Sequence, residues 1–195
     1  MSLMLSMAAF ALAASISPGP VNIVALGSGA RHGLRASLKH VTGATLGFSL
    51  LLLLTGLGLH ELLRHWPALA RVLHGGGVAF LLYMAWKLAS DRGELGRNTD
   101  ADAPSMLAGA TLQWLNPKAW LACVAGVGAY VGEGETTLLW QFTAIYFVIC
   151  YLSIASWAWA GSVISQYLRN PRRVRLFNRM LAGLLVVSAI YLLVG

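Results

Sequence analysis

The chain reads as an all-α membrane protein: six transmembrane helices forming two inverted three-helix repeats, with helices 1 and 4 broken. Three observations predict this. Of 195 residues, 57% are hydrophobic and only 11% are charged, and mean hydropathy is +0.68, whereas an ordinary soluble domain carries roughly 25% charge. The apolar residues fall into six runs near the ~20 residues that a helix needs to cross the hydrocarbon core. Two of those runs carry a helix-start signal in their interior, at Ser17-Pro18 and at Asn116-Pro117.

The first run covers residues 3–29. Its opening, MSLMLSMAAFALAAS, looks like a secretory leader at Ala11-Leu12-Ala13, but no positive charge precedes it and the apolar run continues past the would-be cut. It is expected to be a retained helix. The second run, 41–60, contains Gly43 and Gly47, a spacing that lets two helix backbones approach closely. The third, 67–87, contains Gly75-Gly76-Gly77. Residues 90–104, SDRGELGRNTDADAP, are polar, of mixed charge and end in proline, and are expected to be a loop. The remaining runs are 105–131, 137–165 (inside an uncharged stretch from Thr136 to Leu168) and the shorter 177–194. The chain is thus a single transmembrane domain over 1–195, with repeat 1 at about 1–89 and repeat 2 at about 105–195.

Orientation follows from the basic residues. The net charge of +7 could point to nucleic acid, but the cations are gathered in short gaps between apolar runs, so nucleic-acid binding is not expected. The first gap holds Arg31, Arg35 and Lys39; the third holds Lys87, Arg92 and Arg97; the fifth holds Arg169, Arg172, Arg173, Arg175 and Arg179. Arg64 and Arg71 lie in the second gap, and the fourth has Glu133 and Glu135 with no cation. The positive-inside rule then makes the odd gaps cytoplasmic and leaves both termini outside.

The two interior start signals share one logic. A Ser or Asn cap followed by proline at the first helical position opens a helix, and here each opens one mid-segment. Pro18 and Pro117 are 99 residues apart, about half the chain. Three is an odd number of crossings, so the second unit of three runs opposite to the first. Paired interrupted helices in inverted repeats are the sequence pointer to a transporter's binding site. A single proline-containing helix would more simply be a packing kink; two matched, capped breaks with a lysine beside one argue for more.

These residues resemble the LysE/RhtB family of amino-acid exporters. The resemblance covers nearly the whole chain. It rests on "SPGPVNIVAL", on "RHGLRASLKHVTGATLGF" after it, on "LNPKA" in the second half, on "YMAWKLA" at 83–89, and on the closing "WAWAGSVISQYLRNPRRVRLFNRMLAGLLVV". Val21 intervenes before Asn22, where many members place Asn or Asp directly after Pro-Gly-Pro. "NIVAL" and "WAWAG" lean toward the family's cysteine and O-acetylserine exporters. The resemblance implies a bacterial-type inner-membrane protein that exports amino acids or related small metabolites from the cytoplasm, driven by the proton motive force.

A zwitterionic substrate needs positive charge for its carboxylate and acceptors for its ammonium. The half-helix N-termini at 18–20 and 117–119 present free N–H groups to an anion. Carbonyls near Ile16 and Leu115, left free because proline cannot bond back to them, suit an ammonium. The expected binding residues are Ser17, Pro18, Gly19, Pro20, Asn22, Gln113, Asn116, Pro117 and Lys118. Lys118 is expected to face a wet cavity and hold the carboxylate; snorkelling to the interface is the competing reading. No Asp or Glu lies well inside a helix, so proton coupling falls to Lys118, a histidine or the substrate.

The other chemistries are weaker. Cys123 and Cys150 have neither metal nor CxxC spacing and read as small buried hydrophobes. The five histidines (32, 40, 60, 65 and 74) lie at or near segment ends without metal spacing, and His32 and His40 read as part of the cytoplasmic basic cluster. No metal or other cofactor is expected. An intramembrane enzyme built on Ser153 or Ser156 lacks a base in helical register. A passive channel or membrane scaffold is the alternative function; it accounts for six helices but not for the paired breaks. Close helix packing leaves a homodimer as a further expectation.

Overall fold

The computed structural model describes residues 2–59, 67–90, 103–131, 135–167 and 170–194. Every long regular element among them is a helix: α1 Leu3–Ile16, α2 Pro20–Leu54, α3 Pro67–Ala89, α4 Met106–Trp114, α5 Pro117–Tyr130, α6 Thr136–Ile164 and α7 Pro171–Val194. The expected loop at 90–104, Glu133, His60, Arg64, His65, Arg92, Arg97 and Arg169 lie wholly or largely outside the described residues.

Both expected breaks are present. α1 stops at Ile16 and α2 starts at Pro20; α4 stops at Trp114 and α5 starts at Pro117. The second has the geometry read from the sequence: Asn116 is the N-cap, its side chain accepts from Lys118 N at 3.2 Å, and Pro117 follows. The first is displaced by two residues. Ser17 caps the end of α1 instead of the start of α2, whose N-cap is Gly19. A residue before proline is driven out of the α region. Pro18 therefore holds Ser17 extended (ψ 142°) and Pro20 holds Gly19 extended (φ −170°, ψ 172°), so the helix starts only after both prolines.

The first basic gap is not a loop. α2 runs through it and folds back at one residue, Gly33, with φ +79° and ψ 169°, a conformation that costs glycine little. Ser28 and Ser37 would stand about 13.5 Å apart along a straight helix, yet their hydroxyls are 2.7 Å apart and both are buried. α2 is thus a hairpin with a first arm at 20–32 and a second at 34–54. Arg31, Arg35 and Lys39 flank the turn on helical backbone. α7 likewise starts six residues before the expected 177, because Asn170 caps it (Arg172 N to Asn170 Oδ1, 2.9 Å) and Pro171 opens it. Hydropathy alone does not register a polar first turn.

Small residues set the packing. A Cβ on Gly43 or Gly47 would run into the backbone of α4 at Met106 or Ala110, and one on Gly109 would meet the second arm at His40 and Ala44. The first arm crosses α6 in the same way, at Gly29 with Ala158 and at Leu26 with Gly161. The spacing at Gly43 and Gly47 therefore serves a contact inside the chain. α3 packs on α7, and Phe48 of α2 stacks on Tyr146 of α6 with ring centroids 4.3 Å apart.

The outer surface is apolar as well. Leu5 and Leu12 of α1, Leu50 of α2, Trp86 of α3, Leu121 of α5, Leu152 of α6 and Leu184 of α7 are each at least half exposed. A soluble monomer seldom exposes so much apolar area; lipid accepts it. Thr136–Tyr167 is long and apolar enough to cross a bilayer, and Pro20–Gly58 is as apolar but folds back at Gly33.

Candidate functional site

The two breaks meet. α1 ends with carbonyls that have no helical partner, as every helix does, and side chains from three other elements satisfy them. Asn22 Nδ2, from the first turn of α2, donates to Ser15 O at 2.8 Å and to Ser17 O at 2.9 Å. Trp157 Nε1 of α6 donates to Ile16 O at 3.0 Å. Ser17 Oγ turns back to Ala14 O at 3.2 Å. Lys118 Nζ, from the first turn of α5, donates to Ser17 O and Ser17 Oγ, both at 2.8 Å, and to Pro18 O at 3.2 Å.

That arrangement resolves the electrostatic oddity of Lys118. Its own helix end repels a cation by about 0.3–1 kcal/mol, but its ammonium reaches the negative end of α1, where a cation is favoured. Hydrogen bonds from a charged donor are also roughly twice as strong as neutral ones. The side chain is turned inward: Lys118 lines a cavity together with Ala14, Gly19, Asn22, Gln113 and Asn116.

The cavity has a volume of about 40 Å³, room for little more than water. Gln113 and Asn116 are buried on its α4–α5 side, with Asn116 Nδ2 3.5 Å from Gln113 Oε1. Gly19 makes no side-chain cap on α2, so the first amides of that helix lack the usual Ser or Asp partner where the chain borders the cavity. Such an end is an anion site by backbone geometry and dipole together.

Of the residues named from the sequence, Gly19, Asn22, Gln113, Asn116 and Lys118 line this one cavity. Ser17 and Pro18 join it through Lys118. Pro20 and Pro117 occupy the first positions of α2 and α5. Sequence reasoning missed Ser15, Phe48, Tyr146, Cys150 and Ile154, which also line it. Tyr146 and Cys150 lie one turn apart in an uninterrupted apolar helix, and a helix that is apolar all round hides which face is inward.

His40 is a correction. It does not belong to the exposed basic cluster: it is 1% exposed, with Nε2 3.5 Å from Val21 O and Nδ1 buried without a partner. It shares the inner face of the second arm with Ser37 and Ala44, three and four residues away, both fully buried. Its closeness in sequence to Lys39 concealed this.

The family model for the LysE type translocator matches residues 12–195. The cysteine/O-acetylserine efflux proteins of Escherichia coli (strain K12) and Shigella flexneri are each 32% identical over 184 residues, covering 93% of this chain and 92% of the relative. No solved structure matches the chain.

Proposed function

Because the chain belongs to the LysE type translocator family, whose members are transporters and not enzymes, we propose that it is a secondary active exporter of amino acids or closely related zwitterions. Its relatives are named for cysteine and O-acetylserine efflux, and those two compounds are the first substrates to expect. The observation that carries this reading is the convergence of two helix breaks, from opposite halves of the chain, on one polar cavity tied by Lys118 to Ser17.

In this reading the chain crosses the bilayer six times. The crossings are α1 with the first arm of α2, the second arm, α3, α4 with α5, α6, and α7. Their packing supports two repeats related by a two-fold axis. Crossing 1 lies on crossing 5 as crossing 4 lies on crossing 2, while 2 meets 5 and 3 meets 6. Exchanging the halves maps that set of contacts onto itself. The cations around Gly33 and at the start of α7 favour those ends as cytoplasmic, with both termini outside.

The substrate carboxylate binds at the uncapped start of α2 and its ammonium at the carbonyl end of α1. The side-chain amides of Asn22, Gln113 and Asn116 set its orientation. The proton motive force drives export, and His40, buried between the cavity and the Gly33 turn, is the group placed to carry the proton. Gly43 and Gly47 are engaged with α4 inside the chain, so the close-packing signal that suggested a homodimer is used within one copy.

Counterflow in proteoliposomes tests the proposal. Vesicles loaded with unlabelled cysteine or O-acetylserine should accumulate the labelled compound. Equilibration without accumulation would identify a channel, and no uptake of either compound would remove both as substrates.

A further inference from the structure

We propose that the Lys118 ammonium is a tethered stand-in for the substrate's own ammonium, and that the site therefore admits only zwitterions bearing a free primary ammonium, which displace Lys118 from Ser17 and Pro18. The assignment rests on the carrier reading above and names the chemistry its substrate must have.

Three features lead to it. An ammonium has three N–H donors, and Lys118 Nζ meets three acceptors, Ser17 O, Ser17 Oγ and Pro18 O, at 2.8, 2.8 and 3.2 Å. That set is complete for one ammonium and has no place for a second. The α-ammonium of an amino acid offers the same three donors.

The second feature is asymmetry. The end of α4, the counterpart of the end of α1, has no charged guest among the described residues. Leu115 N bonds to Thr111 O at 3.0 Å, Asn116 N to Gln113 O at 3.1 Å, and Trp120 Nε1 to Trp114 O at 2.7 Å. Local groups close one break, whereas the other also takes Lys118 and Trp157 from the opposite repeat, and of these only Lys118 brings a charge.

Space is the third. With Lys118 in place the cavity holds about 40 Å³, so an entering amino acid has to move something. The lysine stem lies against Gly19, where a Cβ would come within 3.3 Å of both Cδ and Nζ. Gly19 is the cap residue of α2, so the displaced ammonium need travel only a short way to meet a carboxylate held at that helix start. The substrate thus exchanges one intramolecular ion contact for its own pair: ammonium on the α1 carbonyls, carboxylate between the α2 amides and Lys118. When it leaves, Lys118 returns, and the break is never left without a cation.

The test is chemical complementation, read by the thermal unfolding midpoint of the purified full-length protein. Lys118→Ala empties the acceptor set. Methylammonium should then raise the midpoint of the variant by several degrees through mass action on the native state. Tetramethylammonium, which has no N–H donor, should not, and neither cation should stabilise the wild type. A folded Lys118→Ala protein that ignores methylammonium overturns the proposal. This reading does not require transport, so it stands apart from any failure of the exporter assignment. If the variant does not fold, competition against labelled cysteine counterflow in the wild type decides. N-acetylcysteine, which keeps the carboxylate and thiol but has no ammonium, should compete at least about tenfold more weakly than cysteine, a difference of roughly one factor of ten in affinity. Equal competition would mean that Lys118 stays on Ser17 throughout, and the proposal would fall.

Discussion

Lys118 Nζ lies 2.8 Å from both the carbonyl and the hydroxyl oxygen of Ser17, a residue 101 positions earlier in the chain. One side chain thus joins the two broken helices and gives the second half of the molecule a part in the first half's break. The charge sits where α1 presents its negative end, so in the proposed mechanism stability and substrate recognition draw on the same contact.

Replacing Lys118 with Ala should cost about 1–3 kcal/mol, the range for leaving buried polar partners unpaired, and should reduce cysteine counterflow to background. Lys118→Arg should rescue poorly, because a planar guanidinium cannot present three converging donors to the same three acceptors. Chemical denaturation and counterflow on the same preparations check both parts. Normal transport by Lys118→Ala would remove this residue from the site.

Asn22 should be less tolerant of Asp than of Ala. Its amide donates to Ser15 O and Ser17 O at 2.8 and 2.9 Å, and a carboxylate would bring only acceptors to two carbonyls. Asn22→Ala is expected to lose about 1–3 kcal/mol, with Asn22→Asp losing more. The ranking is read from unfolding midpoints, and the reverse order would contradict the donor role.

The glycine contacts sort into two groups. Gly43→Ala and Gly109→Ala place a methyl against the backbone of a neighbouring helix, whereas Gly128→Ala and Gly183→Ala place it where nothing lies within 4 Å. The first pair should sharply reduce the yield of folded protein. The second should remain near wild type or gain slightly from glycine's low helix propensity. Size-exclusion profiles of the four variants, expressed in parallel, make the comparison.

His40→Asn separates coupling from binding. If the imidazole carries the proton, export driven by a proton gradient should fall about tenfold, the scale of one 1.4 kcal/mol step, while gradient-free counterflow continues. The pH dependence of net export should flatten in the variant. Equal loss in both assays would assign His40 a packing role instead.

Topology is open to single-cysteine labelling. After replacement of Cys123 and Cys150, which are both buried, cysteines at Ser90 and Thr136 should react from opposite sides of the membrane. Labelling of both from one side would rule out six crossings.

Local features were legible in the chain because their causes are local. Proline lacks an N–H and restricts its predecessor, so both breaks could be located from Pro18, Pro20 and Pro117. The two-residue displacement at the first arose from weighing one proline where two act in series. The hairpin at Gly33 was half visible: the basic gap marked a reversal, but only the backbone angles reduce it to one residue. What the linear order could not contain is which carbonyl a long side chain reaches. Lys118 meets Ser17, Trp157 meets Ile16, and His40 lies on the buried face, because helix crossings set by Gly29, Gly43, Gly109 and Gly161 bring distant turns together. In helices that are apolar on every side, hydrophobicity carries no record of which face turns inward. That choice belongs to backbone packing, and it decides that Lys118 completes a broken helix instead of pointing away from the chain.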